Sequence, residues 1–207
     1  MFMNTFYLIR HGQDFDNSEG LLNGHRDRTL TEIGINQAIE LARKIKINKL
    51  KADFVLSSPL NRALTTASIV ASLNGYPTPI IEPLLIERDF GIMTGKKHSE
   101  IIPTCSPNII KTDTATYFLN PQGSETFPDL LSRANLLFSK LNSKYQNKHI
   151  IFVSHGDFGK IIYAAYYKLD WQNVLKSFHF GNSELLVLSP DINPKDSKLI
   201  NIKQYNV

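Results

Sequence analysis

Apolar residues recur along the chain at two different spacings, and the alternation between them predicts strands interleaved with helices. Residues 5–10 (Thr-Phe-Tyr-Leu-Ile-Arg) form a short β-prone run, read as a buried strand. A polar, glycine-containing stretch follows to about residue 29. Ile35, Ala38, Ile39, Ala42 and Ile45 then fall at helical spacing, with Thr29 or Thr31 as the cap. Residues 53–57 predict a second strand. Ser58-Pro59 predicts the start of a second helix, with serine as N-cap, proline in the first turn, and Leu60, Ala63, Leu64, Ala67 and Ala71 on the inner face. Pro77 and Pro79 lead into a third strand at Ile80-Ile81. Residues 92–122 carry Gly95, Pro103, Pro107 and Pro121 and no period, which predicts an irregular insert or lid. A helix beginning at Thr126 presents Leu130, Ala134, Leu137 and Leu141. Residues 149–154 read as a fourth strand, 156 to about 169 as a helix, and 184–188 and 198–202 as two late strands.

This order predicts an α/β fold, a three-layer α/β/α sandwich around a mostly parallel sheet. The 207 residues fit one domain spanning 1–207, with the insert at about 92–122. Composition changes the picture little: 42% hydrophobic and 20% charged residues are ordinary for a folded chain. Cys105 is the single cysteine, so no disulfide can form within the chain. The N-terminus reads as a strand rather than a signal peptide, and no apolar run approaches the ~20 residues of a membrane span. The expectation is a cytoplasmic protein with no membrane partner. A formal charge of +4 is a mild excess that either a lysine-rich surface or an anionic ligand explains. No basic stripe with interleaved aromatics appears, so nucleic acid is not expected as a partner. Seven of the 23 cations are arginines, gathered mostly in the first half. Arginine is the planar, bidentate ligand for phosphate.

Four places carry candidate chemistry. Two strands end in the same way, Ile9-Arg10-His11-Gly12 and Val153-Ser154-His155-Gly156, and ligands of open α/β sheets bind at the carboxyl ends of strands. A lone histidine there could be structural. Beside Arg10, however, a cation at a buried strand end calls for an anion. Gly12 reads as a place where the backbone approaches a ligand closely. A neutral imidazole is a competent phosphoryl acceptor. Arg62 falls in the first turn of the helix after Ser58-Pro59, where the helix dipole disfavours a cation unless an anion binds. The other possibility is a solvated arginine. Glu87, in Glu-Arg-Asp-Phe-Gly, could be a general acid whose pKa rises on burial, or part of a surface charge cluster with Arg88. His155 could donate to a transferring phosphoryl group.

Together these places lie within a longer ordered pattern: Leu8 to Gln13 with Asn17, Gly24 and Asp27, Leu30-Thr31-Glu32-Ile33-Gly34, Gln37-Ala38, Ser58-Pro59, Arg62-Ala63, Thr66-Ala67, Glu87 to Gly91, Glu125-Thr126, Asp129, Arg133, Val153 to Gly156, and Asn182-Ser183. In this the chain resembles the histidine phosphatase superfamily, also called phosphoglycerate-mutase-like, over nearly its whole length. The resemblance implies that His11 is the phosphorylated nucleophile and that Arg10, Arg62 and His155 form the phosphate pocket. Glu87 would be proton donor and then base, and Asn17, Gln13, Gly24 and Asn182 substrate-binding contacts. It implies no cofactor and no metal, and a monomer or homodimer acting on a small phosphorylated metabolite.

Within that family the chain reads as a metal-independent phosphatase. It has no arginine between Arg88 and Arg133, only Lys96, Lys97 and Lys111, whereas mutases carry paired arginines in the insert. Departures from the commonest pattern at Asn23, Thr65 and Ser124 bear on the substrate rather than on the chemistry. The alternatives are mutase-type phosphoryl transfer, a phosphate-binding pseudoenzyme and a metal hydrolase.

Overall fold

In the first strand the side chains alternate between two cores: Phe6 and Leu8 enter one, Tyr7 and Ile9 the other. That double burial places this strand inside a sheet covered on both faces. The computed structural model describes residues 4–205. Its elements are β1 (Thr5–Arg10), α1 (Phe15–Glu19), α2 (Glu32–Ile47), β2 (Phe54–Ser57), α3 (Asn61–Asn74), β3 (Ile80–Ile81), α4 (Ile101–Cys105), β4 (Ile109–Lys111) and β5 (Thr116–Phe118). There follow α5 (Phe127–Lys144), β6 (His149–Ser154), α6 (Gly156–Tyr167), α7 (Trp171–Ser177), β7 (Leu185–Leu188) and β8 (Lys198–Ile200). No helix among the described residues is long and apolar enough to cross a membrane.

The main sheet has the order β3-β2-β6-β1-β7-β8. Strands β3, β2, β6 and β1 pair in parallel, and β7 runs against both β1 and β8. One face packs on α2 and α3 through Leu41, Ala42, Ile45, Ala63, Ala67 and Val70. The other packs on α5 and α6 through Leu130, Leu137, Leu141, Phe158 and Ile161. Each large apolar side chain buried this way contributes roughly 1.5–3 kcal/mol. The fold is the expected three-layer α/β sandwich.

Three local expectations change. The buried stripe of α2 is Ala38, Leu41, Ala42 and Ile45, while Ile35 is 40% exposed. The first turn of α2 is committed to polar contact with the loop after β1: Thr31 caps Gly34, and the Gln37 side-chain oxygen accepts from the Gln13 backbone N–H at 2.9 Å. Gly12 meets this same turn. A Cβ on Gly12 would stand 2.3 Å from the Gly34 carbonyl oxygen, so its close approach is to α2 and not to a ligand. Finally, α3 begins at Asn61, and Ser58 is not its N-cap residue. The Asp27 carboxylate takes the Asn61 backbone N–H and side-chain amide, each at 2.6 Å. The anion at this helix start is therefore the protein's own.

The aperiodic insert is built of pieces too short to show a period: two 3-10 turns, α4, and the β4–β5 hairpin. Met93, Ile101, Cys105 and Phe118 close a small core of their own with Leu22 and Phe90.

Candidate active site

Neighbouring parallel strands β1 and β6 pair Arg10 with Ser154, so the next residues, His11 and His155, emerge side by side. Their ring centroids are 5.1 Å apart and both side chains are buried. His11 Nδ1 lies 2.6 Å from the Gly12 carbonyl oxygen, which only a protonated Nδ1 can satisfy by donating. Its proton-free Nε2 then accepts from Arg62 Nε at 3.3 Å. Burial, followed by Arg62 and Arg10, holds His11 well below the usual histidine range, so the ring is neutral. The loop at the end of β1 thus presents a neutral imidazole whose unprotonated Nε2 is held by Arg62.

His155 meets a hydroxyl, a group that both donates and accepts. Ser58 Oγ accepts from the Leu60 N–H at 3.3 Å and lies 2.7 Å from His155 Nε2, to which its own hydrogen can donate. With that hydrogen donated to Nε2, His155 Nδ1 carries the proton, and among the described residues it is buried without a hydrogen-bond partner. Burial, Arg62 and His11 hold this ring neutral too. Ser58, expected as a helix cap, instead binds the ring of a histidine at the end of the neighbouring strand β6.

Arg62 is fully buried in the first turn of α3 and folds back over the site. It donates to the carbonyls of Gly24 at 2.8 Å and Arg26 at 2.5 Å, and its Nε is 3.3 Å from Asp14 Oδ2. Asp14 is itself held by the Asn17 N–H and the Asn23 amide. Arg10 donates to the Phe180 carbonyl at 2.8 Å, while its buried Nε has no hydrogen-bond partner among the described residues. A Cβ on Gly156 would stand 3.5 Å from Arg10 Cζ, an ordinary contact, so the start of α6 lies directly against the guanidinium.

Glu87 is 4% exposed. It accepts from Arg88 N at 2.8 Å, Phe158 N at 3.0 Å and Asp157 N at 3.3 Å, which seats its carboxyl on the first turn of α6. Burial and the neighbouring Asp157 raise its pKa against these hydrogen bonds and Arg62. Arg88 is no surface partner. It is fully buried, donates to the carbonyls of Glu125 at 2.7 Å and Leu119 at 3.0 Å, and lies 3.5 Å from Asp157. Phe127 and Phe118 flank it at 4.2 and 4.5 Å. Arg88→Ala strands Asp157 and two buried carbonyls, and is expected to cost about 3–5 kcal/mol, read as a fall in thermal midpoint.

The remaining predicted contacts divide. Asn182 donates to the His11 carbonyl at 2.9 Å and to Asn17 Oδ1 at 3.1 Å, which joins both residues to the nucleophile loop. Gly24 acts through its carbonyl on Arg62. Gln13 turns its side chain toward Thr31 at 2.8 Å and the Tyr205 carbonyl at 3.2 Å, where it ties that loop to α2 and the chain end. Asp14 and Asp157 are supporting residues that the sequence did not single out, and Ser58 is one that it singled out for a different role. Each stands within three residues of a residue it did identify or at a strand end.

A cavity of about 760 Å³ adjoins this cluster on the side of Arg10 and Glu87, while His11, Arg62 and His155 lie behind its lining. Arg10, Asn17, Glu87 and Gly156 form its floor, and the β4–β5 hairpin, including Lys111 and Tyr117, walls one side. Arg10 is the only arginine among the described residues that line it. Among the described residues, no group of three or more histidine, cysteine, aspartate or glutamate side chains is placed to hold a metal ion.

A sequence profile of the histidine phosphatase superfamily (branch 1) matches residues 6–203. A 2,3-bisphosphoglycerate-dependent phosphoglycerate mutase of Bradyrhizobium sp. (strain BTAi1) is 28% identical over 173 residues, covering 82% of this chain and 84% of its own. Among solved structures, a mutant phosphoserine phosphatase of Entamoeba histolytica in complex with phosphoserine aligns with a TM-score of 0.72 at 27% identity, over 89% of this chain and 90% of that one. A mycobacterial glucosyl-3-phosphoglycerate phosphatase shares the fold at a TM-score of 0.77 and 24% identity over 99% of both chains. The chain belongs to the histidine phosphatase superfamily.

Proposed function

We propose that this protein is a phosphatase that hydrolyses phosphate monoesters of small metabolites through a phosphohistidine on His11, without a metal. The observation that carries the reading is a neutral histidine with an unprotonated Nε2, set among buried donors. Among the described residues Arg10 Nε and His155 Nδ1 have no acceptor, and Arg62 Nε has only long contacts. Buried donors and cations of this kind are stabilised by a dianion.

The steps balance on these groups. The Nε2 lone pair of His11 forms a bond to phosphorus as the ester P–O bond breaks. Glu87 gives its proton to the departing oxygen. The Gly12 carbonyl, through Nδ1–H, stabilises the positive charge that develops on the ring. Arg10, Arg62 and His155 take the equatorial oxygens, where positioning and charge supply most of the rate enhancement. Phosphoryl oxygens are stronger acceptors than imidazole, so substrate draws Arg62 off Nε2 and frees the nucleophile. Water then attacks phosphorus, Glu87 accepts its proton, and the N–P bond breaks.

Phosphatase is favoured over mutase by the wall of the cavity. The insert contributes lysine, tyrosine and histidine there and no arginine. The phosphoserine phosphatase likeness favours the same reading, and the mutase names of the sequence relatives favour the other. The test is 3-phosphoglycerate with 2,3-bisphosphoglycerate in EDTA, followed by phosphorus NMR. Inorganic phosphate should accumulate ahead of any 2-phosphoglycerate. Isomer forming faster than phosphate would make the protein a mutase.

A further inference from the structure

A second buried cation lines the cavity, and the chemistry above does not use it. Lys160 lies on α6 and is 9% exposed. It is four residues from Gly156, on the same stripe of the helix, and that stripe faces Arg10. Helix rise places it about 6 Å beyond the phosphoryl pocket, and the tilt of helical side chains toward the N-terminus leans it back toward that pocket. Its one hydrogen bond among the described residues goes to the Tyr117 hydroxyl, at 2.5 Å. Tyr117 belongs to the hairpin wall, and both residues line the cavity. The one acid of its own helix, Asp157, is turned to Arg88.

An ammonium has three donors, and a phenol satisfies one of them without neutralising the charge. Burial drives Lys160 down to about 8, and the field of Asp157 and Glu87 resists this while Arg10 reinforces it. Burying a long, charged side chain at such a cost, with a neutral partner, is accounted for when an anion completes its shell.

We infer that Lys160, positioned by Tyr117, is a specificity-determining anion subsite that selects phosphate esters carrying a carboxylate a few atoms from the phosphate. The inference rests on the phosphatase reading for the phosphoryl end of the ligand, and adds the class of substrate. Short phosphorylated carboxylic acids span the two cations, with the phosphate on Arg10 and the carboxylate on Lys160. The same skeleton without its carboxylate leaves Lys160 unpaired.

The test uses matched pairs, O-phosphoserine against O-phosphoethanolamine and 3-phosphoglycerate against glycerol 3-phosphate. In the wild-type protein kcat/KM should favour the acid of each pair by at least about tenfold, the worth of one charge-assisted hydrogen bond. Lys160→Met should remove most of that ratio, and Lys160→Arg should restore part of it. Equal losses on acid and non-acid esters, or an unchanged ratio, would overturn the subsite. Binding keeps the two readings separable. Calorimetry on His11→Ala, with and without Lys160→Met, compares O-phosphoserine with O-phosphoethanolamine independently of turnover. An acid preference that depends on Lys160 in a protein that turns over no ester would retain the subsite and refute the phosphatase. Turnover with no acid preference would do the reverse.

Discussion

His11→Ala is expected to lower kcat/KM for p-nitrophenyl phosphate on the order of a thousandfold or more, because it removes the atom that bonds to phosphorus. The effect is on chemistry and not on anion binding. Arg10, Arg62 and His155 remain, and the donors at Arg10 Nε and His155 Nδ1 are untouched. Inorganic phosphate should therefore still bind the variant in calorimetry. The wild-type protein, quenched during turnover, should carry phosphate that is released in acid and kept in alkali, as a phosphoramidate is. The variant should carry none. Substantial turnover by His11→Ala in EDTA would refute the phosphohistidine route. Turnover abolished in both proteins by EDTA would point instead to a metal hydrolase.

The neutrality of His11 sets where on the pH scale this step can operate. Protonation of Nε2 would block attack, and burial with two arginines keeps that event well below the ordinary histidine value. The nucleophile is thus available through mildly acidic pH, where an unperturbed histidine would already be partly charged.

Much of this site was legible in the chain itself, for a physical reason. Strand ends, a proline-led helix start and His-Gly turns are local features, and they place Arg10, His11, Arg62 and His155 at element boundaries without any knowledge of the fold. What joins them is not local. Nothing in either His-Gly segment says that β1 and β6 are neighbours in register, yet that pairing brings the two rings to 5.1 Å. The roles of Ser58 and Gly12 were misjudged for the same reason. A serine before Pro-Leu is a fair cap from its neighbours in sequence, but its hydroxyl is bound by a histidine 97 residues away. Gly12 does mark a close approach, and only the packing of α2 shows that the approaching group is Gly34. Ile35 was assigned to the core by periodicity, while the first turn of α2 is held by hydrogen bonds to the nucleophile loop. Lys160 was hidden because its helix is apolar enough to read as core. A single lysine in such a stripe carries no signal until the cavity beside it is known.

The leaving group provides the sharpest test of Glu87. A carboxyl that protonates a departing alkoxide matters in proportion to the need for that proton. Glu87→Gln is therefore expected to lower kcat/KM for an alkyl ester such as glycerol 3-phosphate by about 10²–10⁴-fold. The p-nitrophenyl ester, whose phenolate departs without a proton, should lose far less in kcat/KM. Its kcat should still fall, because water attack on phosphohistidine also needs Glu87 as base, and phosphoenzyme should accumulate as a burst. The amide keeps one oxygen to accept from Arg88 and Phe158 on the first turn of α6, so the scaffold is largely preserved. The pH profile follows from the direction of the shift. Burial and Asp157 raise Glu87, so its acid form persists to higher pH than in an ordinary glutamate and is lost as pH rises through the raised value. For alkyl esters kcat/KM should fall along that alkaline limb in the wild-type protein, and Glu87→Gln should abolish the limb. Asp157→Asn removes a neighbouring negative charge and should move the limb to lower pH. Equal losses for alkyl and p-nitrophenyl esters, with the alkaline limb unchanged, would reduce Glu87 to an anchor for α6 and assign the proton to another group.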